Sequence, residues 1–591
     1  MTYPIEDFLN VRSAMAAGFS PDGSNVLVAA NLSGTMQLYS VACGGGDPTP
    51  ITDFAEPVSG RYLPSGEILL QMDSGGNERL QIYRIEGDGT NVRPVVYEPE
   101  YIHRVGSVSR DGKTLSYASN RRNGVDFDIC VLELASGDDQ IVASLGGWLY
   151  SGEFSPDARF LSIGRLGERA GDNASHIVDL VSGEIVEVAP HDEPSAIGTA
   201  EWLPDGSGFF FSTDQDREFA AIAFYDMRAR TWRPVIERDA DLACSIDKVG
   251  RALAVTTTRD GYTSVEFFDP ATLERVGELP LPRRGVVPTL TRSDDGRLVA
   301  YTFMSPVDAG DAWLYDLDSQ ETRRLTDVPK PVPADALVEP VVERFASFDG
   351  EEISALVFRP AAGVDAPVVV SIHGGPESQY IPVFNPVTQF LVARGYGVVA
   401  PNVRGSTGYG KRFQHLDDGR LRLDSVADLA ALHGWLVAQP GLDAARAALM
   451  GGSYGGYMTL AGLAFQPSLW AAGVDIVGIS SLVTFLENTA AWRRKFRERE
   501  YGSLEHDRDF LVEASPITRV DDMRAPLFII HGANDPRVPV GEAEQIHRVL
   551  SAKGVPCELL VYADEGHGLA KLKNRLDAYP KAADFLDRVL G

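Results

Sequence analysis

A turn of Pro-Asp-Gly character returns seven times in the first half of this chain, and nothing else in the sequence restricts the fold so tightly. The copies read Ser20-Pro21-Asp22-Gly23, Leu63-Pro64-Ser65-Gly66, Ser109-Arg110-Asp111-Gly112, Ser155-Pro156-Asp157-Ala158, Leu203-Pro204-Asp205-Gly206, Asp247-Lys248-Val249-Gly250 and Ser293-Asp294-Asp295-Gly296. Their last positions lie 43, 46, 46, 48, 44 and 46 residues apart. Proline presets φ, and Asp and Gly favour tight reversals, so each copy predicts a hairpin. Strand-like runs such as Asn25 to Ala29 follow the turns. An all-β repeat of this length is the signature of a four-stranded propeller blade. Seven copies predict a seven-bladed β-propeller over roughly residues 12–325. A pair of β-sandwiches would not keep so regular a period.

The proline-rich stretch Pro329-Lys330-Pro331-Val332-Pro333 predicts a linker. Beyond it, apolar strands alternate with helical stretches such as Val387–Arg394 and Asp424–Val437. That alternation predicts a mostly parallel sheet with helices on both faces. The expected division is residues 1–325 propeller, 326–336 linker and 337–591 α/β-hydrolase, with residues 1–11 packing back on the hydrolase.

Within the second half, Gly451-Gly452-Ser453-Tyr454-Gly455 follows the apolar run Ala447–Met450 and precedes a helical stretch. Strand, sharp turn and helix make a nucleophile elbow, which needs glycine where strand and helix approach closely. The plain alternative is a glycine-rich turn between core elements. A serine becomes a useful nucleophile only with a base and an orienting carboxylate, here expected downstream in the order Ser, Asp, His. Asp535 follows the apolar strand candidate Leu527–Ile530, and His567 follows Cys557–Tyr562. Both sit past a strand's C-terminal end, where α/β sheets collect their functional groups. His506 and His547 qualify by order alone, His547 within a helical pattern, and His531 precedes the aspartate. Oxyanion donors are expected from the N–H of Tyr454 and from the loop His373-Gly374-Gly375-Pro376, which ends a β-branched run. Gly405–Lys411 fits most of a phosphate-binding loop, but Arg412 stands where Ser or Thr would hold Mg²⁺, so it reads as a turn-rich loop beside the site.

The formal charge of −29 disfavours nucleic acid and anionic membrane surfaces as partners. Four scattered cysteines predict free thiols, with no metal or cofactor site. Residues 1–10 lack a signal pattern and no apolar run reaches membrane-spanning length, so the cytoplasm is the default expectation. The segment Asn488–Glu500, with Trp492, Arg493, Arg494, Arg497 and Arg499, is basic against this background. The favoured reading is a solvated helix pairing with its own glutamates; the sharper one is a docking site for the propeller or for a carboxylate-bearing substrate.

The propeller repeat, His373–Pro376, Asn402–Gly410, Gly451–Gly456, His531–Asp535 and Glu565–Gly568 together resemble the prolyl oligopeptidase family of serine peptidases, in its acylaminoacyl peptidase and dipeptidyl aminopeptidase branch. The likeness runs over nearly the whole chain. It implies a peptidase with Ser453, Asp535 and His567 as catalytic residues, Tyr454 and Gly375 at the oxyanion, and Arg537 and Val538 in substrate binding. It also implies a propeller that caps the site, admitting short peptides or aminoacyl and acyl-aminoacyl amides. A small-molecule aminoacyl amide or ester hydrolase and a non-catalytic propeller binding protein are the alternatives. Whether copies of the chain form a homo-oligomer is left open.

Overall fold

The computed structural model describes residues 3–361 and 365–591. Seven four-stranded antiparallel sheets succeed one another from Ala14 to Arg324, each built from one contiguous segment. Every repeated turn joins the first two strands of its blade, as residues 20–24 do between Ala14–Phe19 and Asn25–Ala30. In four copies the turn serine bonds the turn aspartate, for example Ser20 to Asp22 at 2.6 Å and Ser155 to Asp157 at 2.6 Å. Ala158 keeps the left-handed φ of 57° that glycine takes in the other copies. The hairpin geometry therefore survives the loss of its glycine.

Among the described residues no strand is exchanged between the first and last blades. Instead Ala14, Val26, Val28 and Val41 share one apolar cluster with Ala300, Ala312 and Leu314. The Ala16 N–H also bonds Thr302 Oγ1 at 3.0 Å.

The second domain is an eight-stranded sheet in the order Val341–Ala346, Glu352–Phe358, Gly397–Asn402, Ala366–Ile372, Leu442–Gly452, Ala472–Ile476, Leu527–Gly532 and Cys557–Tyr562. Glu352–Phe358 pairs antiparallel with both of its neighbours, and the strands from Gly397–Asn402 onward run parallel to one another. Helices Pro386–Ala393 and Leu572–Leu590 cover one face, and Arg422–Val437, Tyr454–Phe465 and Gly541–Ala552 the other. The short helix Ile5–Leu9 packs with the first face, Phe8 lying 5.7 Å from Phe390 between ring centroids. Among the described residues no helix is long and apolar enough to cross a membrane.

The domains touch all round the ring. The Leu572 N–H bonds Gly34 O at 3.2 Å, Asn534 bonds Gly75 O at 3.0 Å, and the Lys411 N–H bonds Glu218 O at 2.8 Å. Arg344 pairs with Asp260 at 2.7 Å, and Gln389 bonds Pro306 O at 2.9 Å. The loops between second and third strands of the blades thus face the hydrolase, and the repeated turns face away.

Candidate active site

Three parallel strands of one sheet, the first separated from the other two by Ala472–Ile476, deliver the expected site residues to one edge. Leu442–Gly452 ends at Ser453, whose φ of 59° and ψ of −116° are costly for a residue with a side chain. Close packing enforces that conformation. A Cβ on Gly451 would lie 2.4 Å from Gly455 O, and one on Gly455 would lie 2.2 Å from Ile372 O. The Ser453 N–H bonds Ile476 O at 2.9 Å, and among the described residues the Tyr454 N–H, first of its helix, has no backbone partner. Gly374 lies against the elbow, since a Cβ there would come within 3.5 Å of Ser453 Cβ. His373 bonds Gly374 O and Ser406 Oγ, both at 2.8 Å, and burial lowers its pKa, so it braces this loop as a neutral ring.

Asp535 follows Leu527–Gly532, one strand removed from the serine. Its Oδ1 accepts the N–H groups of Arg537 at 2.8 Å and Val538 at 3.0 Å. That leaves Oδ2 for His567 Nδ1 at 2.7 Å. Two fixed donors on one oxygen orient the carboxylate before the imidazole arrives. Among the described residues no hydrogen bond joins Ser453 Oγ to His567. His531 lies 3.7 Å from Asp535 Oδ2, but its Nε2 donates to Val538 O, 2.9 Å away, and its burial depresses its pKa. His547 lies within Gly541–Ala552, away from the strand ends.

Val538 is only 2% exposed and belongs to the hydrolase core, offering a substrate little surface. Its backbone instead holds Asp535 and His531. Arg537 reaches across the domain boundary and pairs with Glu78 of the second blade.

Glu78 stands in a propeller loop that meets the histidine loop backbone to backbone. A Cβ on Gly76 would lie 2.5 Å from Gly566 N. Together the two loops line a cavity of about 420 Å³ that holds Glu56, Asp73, Glu78 and His567. Burial, and then the nearby Glu56 and Glu78, raise the pKa of Asp73. Sequence reasoning missed these acids because nothing local marks one propeller carboxylate from another.

The basic segment corrects the favoured expectation of a solvated helix. Ala491–Tyr501 is wedged between the domains. Trp492 packs on Trp148 and Phe127 of the propeller with ring centroids 5.2 and 6.0 Å away. Arg499 bonds Gly167 O and Asp172 O at 3.2 Å, and Arg497 bonds Gly375 O at 3.1 Å. Its glutamate Glu500 pairs with Arg422, outside the helix. Arg422 also pairs with Asp417 and lies over the rings of Tyr454 and Tyr501 at 5.2 and 4.9 Å. Asp417, Asp418 and Glu500 lie close enough to hold a cation. The guanidinium bound to Asp417 and Glu500 already supplies positive charge there, directly behind Tyr454.

The near-miss phosphate loop also has structural work. Arg404 pairs with Asp428 at 2.9 Å, Lys411 reaches Asp214 of the propeller at 3.6 Å, and Arg412 pairs with Glu351 at 2.8 Å.

Fold and site geometry define an α/β-hydrolase capped by a seven-bladed propeller. A model described as the prolyl oligopeptidase family matches residues 382–591. Dipeptidyl aminopeptidase BIII of Pseudoxanthomonas mexicana is 30% identical over 562 residues, covering 90% of this chain and 79% of that protein. Uncharacterized peptidase YuxL of Bacillus subtilis is 26% identical over 589 residues, covering 94% and 86%. A solved puromycin-hydrolyzing peptidase of Mycobacterium tuberculosis superposes with a TM-score of 0.87 at 20% identity, over 100% of this chain and 97% of that one, which speaks to the fold. The chain belongs to the prolyl oligopeptidase family and is a serine peptidase.

Proposed function

We propose that the protein removes residues from the free N-terminus of short peptides, with Ser453 as nucleophile, His567 as base and Asp535 as its orienting partner. The observation that carries this reading is the His567–Asp535 bond of 2.7 Å in the same cavity as the propeller acids Asp73 and Glu78. An imidazole held by a carboxylate can accept the Ser453 proton at Nε2 as Oγ attacks an amide carbon. The N–H groups of Tyr454 and Gly375 receive the oxyanion. Collapse breaks the C–N bond, and the imidazolium returns its proton to the departing amine. Water, activated by the same imidazole, then releases the acyl group from Ser453.

Asp73 suits a substrate ammonium group, because a cation restores the solvation that burial takes from its carboxylate, and Glu78 lines the same cavity. The relative named as a dipeptidyl aminopeptidase supports the same orientation. Arg537, held by Glu78, stands where it can grip the substrate backbone. The domain contacts around the ring favour substrates small enough to enter between the domains.

Matched chromogenic amides with free and acetylated N-termini test the reading. Hydrolysis should favour the free amine by at least tenfold, and Ser453→Ala should lower turnover by about 10⁶. Preference for the acetylated series would refute the amine site, and undiminished Ser453→Ala activity would refute the nucleophile.

A further inference from the structure

Between the oxyanion loop and the propeller the charge balance is reversed relative to the rest of the chain. The protein carries a formal −29, yet the guanidiniums of Arg104, Arg493, Arg497 and Arg537 crowd together there. One carboxylate, Glu78, serves this group: it pairs with Arg537 and stands 3.8 Å from Arg493. The nearby acids are committed elsewhere, Glu500 to Arg422 and Glu377 to Arg499. Arg493 is 5% exposed, and among the described residues neither its Nε nor that of Arg104 has a hydrogen-bond partner. Burial and the neighbouring guanidiniums of Arg497 and Arg537 pull Arg493 down to about 9.

Buried cations without matching anions are costly and rarely kept without a use. Aromatic faces meet part of the demand, with Trp492 5.0 Å from Arg493 and Trp148 5.3 Å from Arg104. They supply no negative charge. Arg537, by contrast, keeps 43% of its side chain exposed, so open space borders the cluster. Arg497 ties the group to the reaction centre through Gly375 O at 3.1 Å.

We propose that this cluster is a subsite for a substrate carboxylate, so that the preferred peptides carry an acidic side chain or a free C-terminal carboxylate close to the cleaved bond. Arg493 and Arg497 are then the specificity-determining residues. The ammonium site at Asp73 and Glu78 and the carboxylate site at the arginines would together read a short dipolar peptide. The inference rests on the peptidase reading above for its substrate class.

The test uses full-length protein and peptide series that differ only in Glu, Gln or Lys at each position, with and without a C-terminal amide. At one position, or at the C-terminus, kcat/KM should favour the carboxylate by about ten- to a hundredfold, as for a charge-assisted hydrogen bond. Arg493→Gln should bring that ratio to within about threefold, and Arg493→Lys should retain most of it. Because the ratio is taken within one preparation, loss of folded enzyme cancels. A ratio near one at every position, or one unmoved by Arg493→Gln and Arg497→Gln, would overturn the proposal. A second arm titrates Ser453→Ala protein with the same peptides, read by tryptophan fluorescence. Tenfold tighter binding of the acidic peptides without hydrolysis by the wild type would sink the peptidase reading and keep the subsite. Equal hydrolysis and equal binding of all series would do the reverse.

Discussion

Asp475 offers a prediction whose size follows from the fold. It lies on Ala472–Ile476, the strand between those that carry Ser453 and Asp535, in register with Gly451. Its side chain is fully buried against Gly456 and Gly478, with no well-aligned hydrogen-bond partner among the described residues, and the Gly478 N–H offsets only part of the burial. Burial pushes its pKa up to about 7, with Glu542 adding repulsion. In the unfolded chain the same group releases its proton near 4. Between those values the folded state holds a proton that the unfolded state has lost, so stability falls as pH rises through this window. Linkage gives a loss of about 2 kcal/mol between pH 5.5 and 8, with little further change above. Asp475→Asn cannot ionise and should not show it. The measurement is chemical denaturation of both proteins at pH 5.5, 6.5, 7.5 and 8.5, read as mutant minus wild type, so that other titrating groups cancel. The mutant should gain on the wild type by about 2 kcal/mol across the range, most of it below pH 7. A difference independent of pH would show that Asp475 is already ionised in the folded protein, and the argument from burial would fail.

Two further outcomes follow from packing. Gly455→Ala would set a methyl group 2.2 Å from Ile372 O and 2.9 Å from His373 O; overpacking of this kind costs about 1–3 kcal/mol or more and should push the loop 373–376 aside, cutting labelling of Ser453 by a fluorophosphonate at least a hundredfold. Trp492→Ala removes ring contacts with Trp148 and Phe127 and should weaken domain docking by about 2–4 kcal/mol, visible as faster proteolysis between the domains and a larger radius of gyration; unchanged values of both would mean the helix does not hold the domains together.

The blades and the elbow were legible because their constraints are local. A hairpin turn needs residues that tolerate its dihedral angles, so the repeat is written at the turns themselves, even where Ala158 stands in for glycine. The elbow needs small residues where strand and helix nearly touch, so Gly451 and Gly455 sit beside Ser453 in the chain. Asp535 and His567, which the structure joins by a hydrogen bond, could be named as candidates because each follows an apolar strand and the chain order of an α/β-hydrolase is fixed. The basic helix misled for the opposite reason. Arg493, Arg497 and Arg499 find their partners at Glu78, Gly375, Asp172 and Glu377, none of them near in sequence, and composition favoured pairing within the helix.

The chain alone, then, determined the number of blades, the kind of second domain and the serine on its sharp turn, since each depends on contacts among residues a few positions apart. Tertiary structure decided the rest: which oxygen of Asp535 is free for His567, that Val538 is core, that a propeller loop brings Asp73 and Glu78 to the histidine, and that four guanidiniums gather beside Gly375. Those features depend on how two separately folded domains meet. A charged side chain carries no local mark of the partner it will find several hundred residues away.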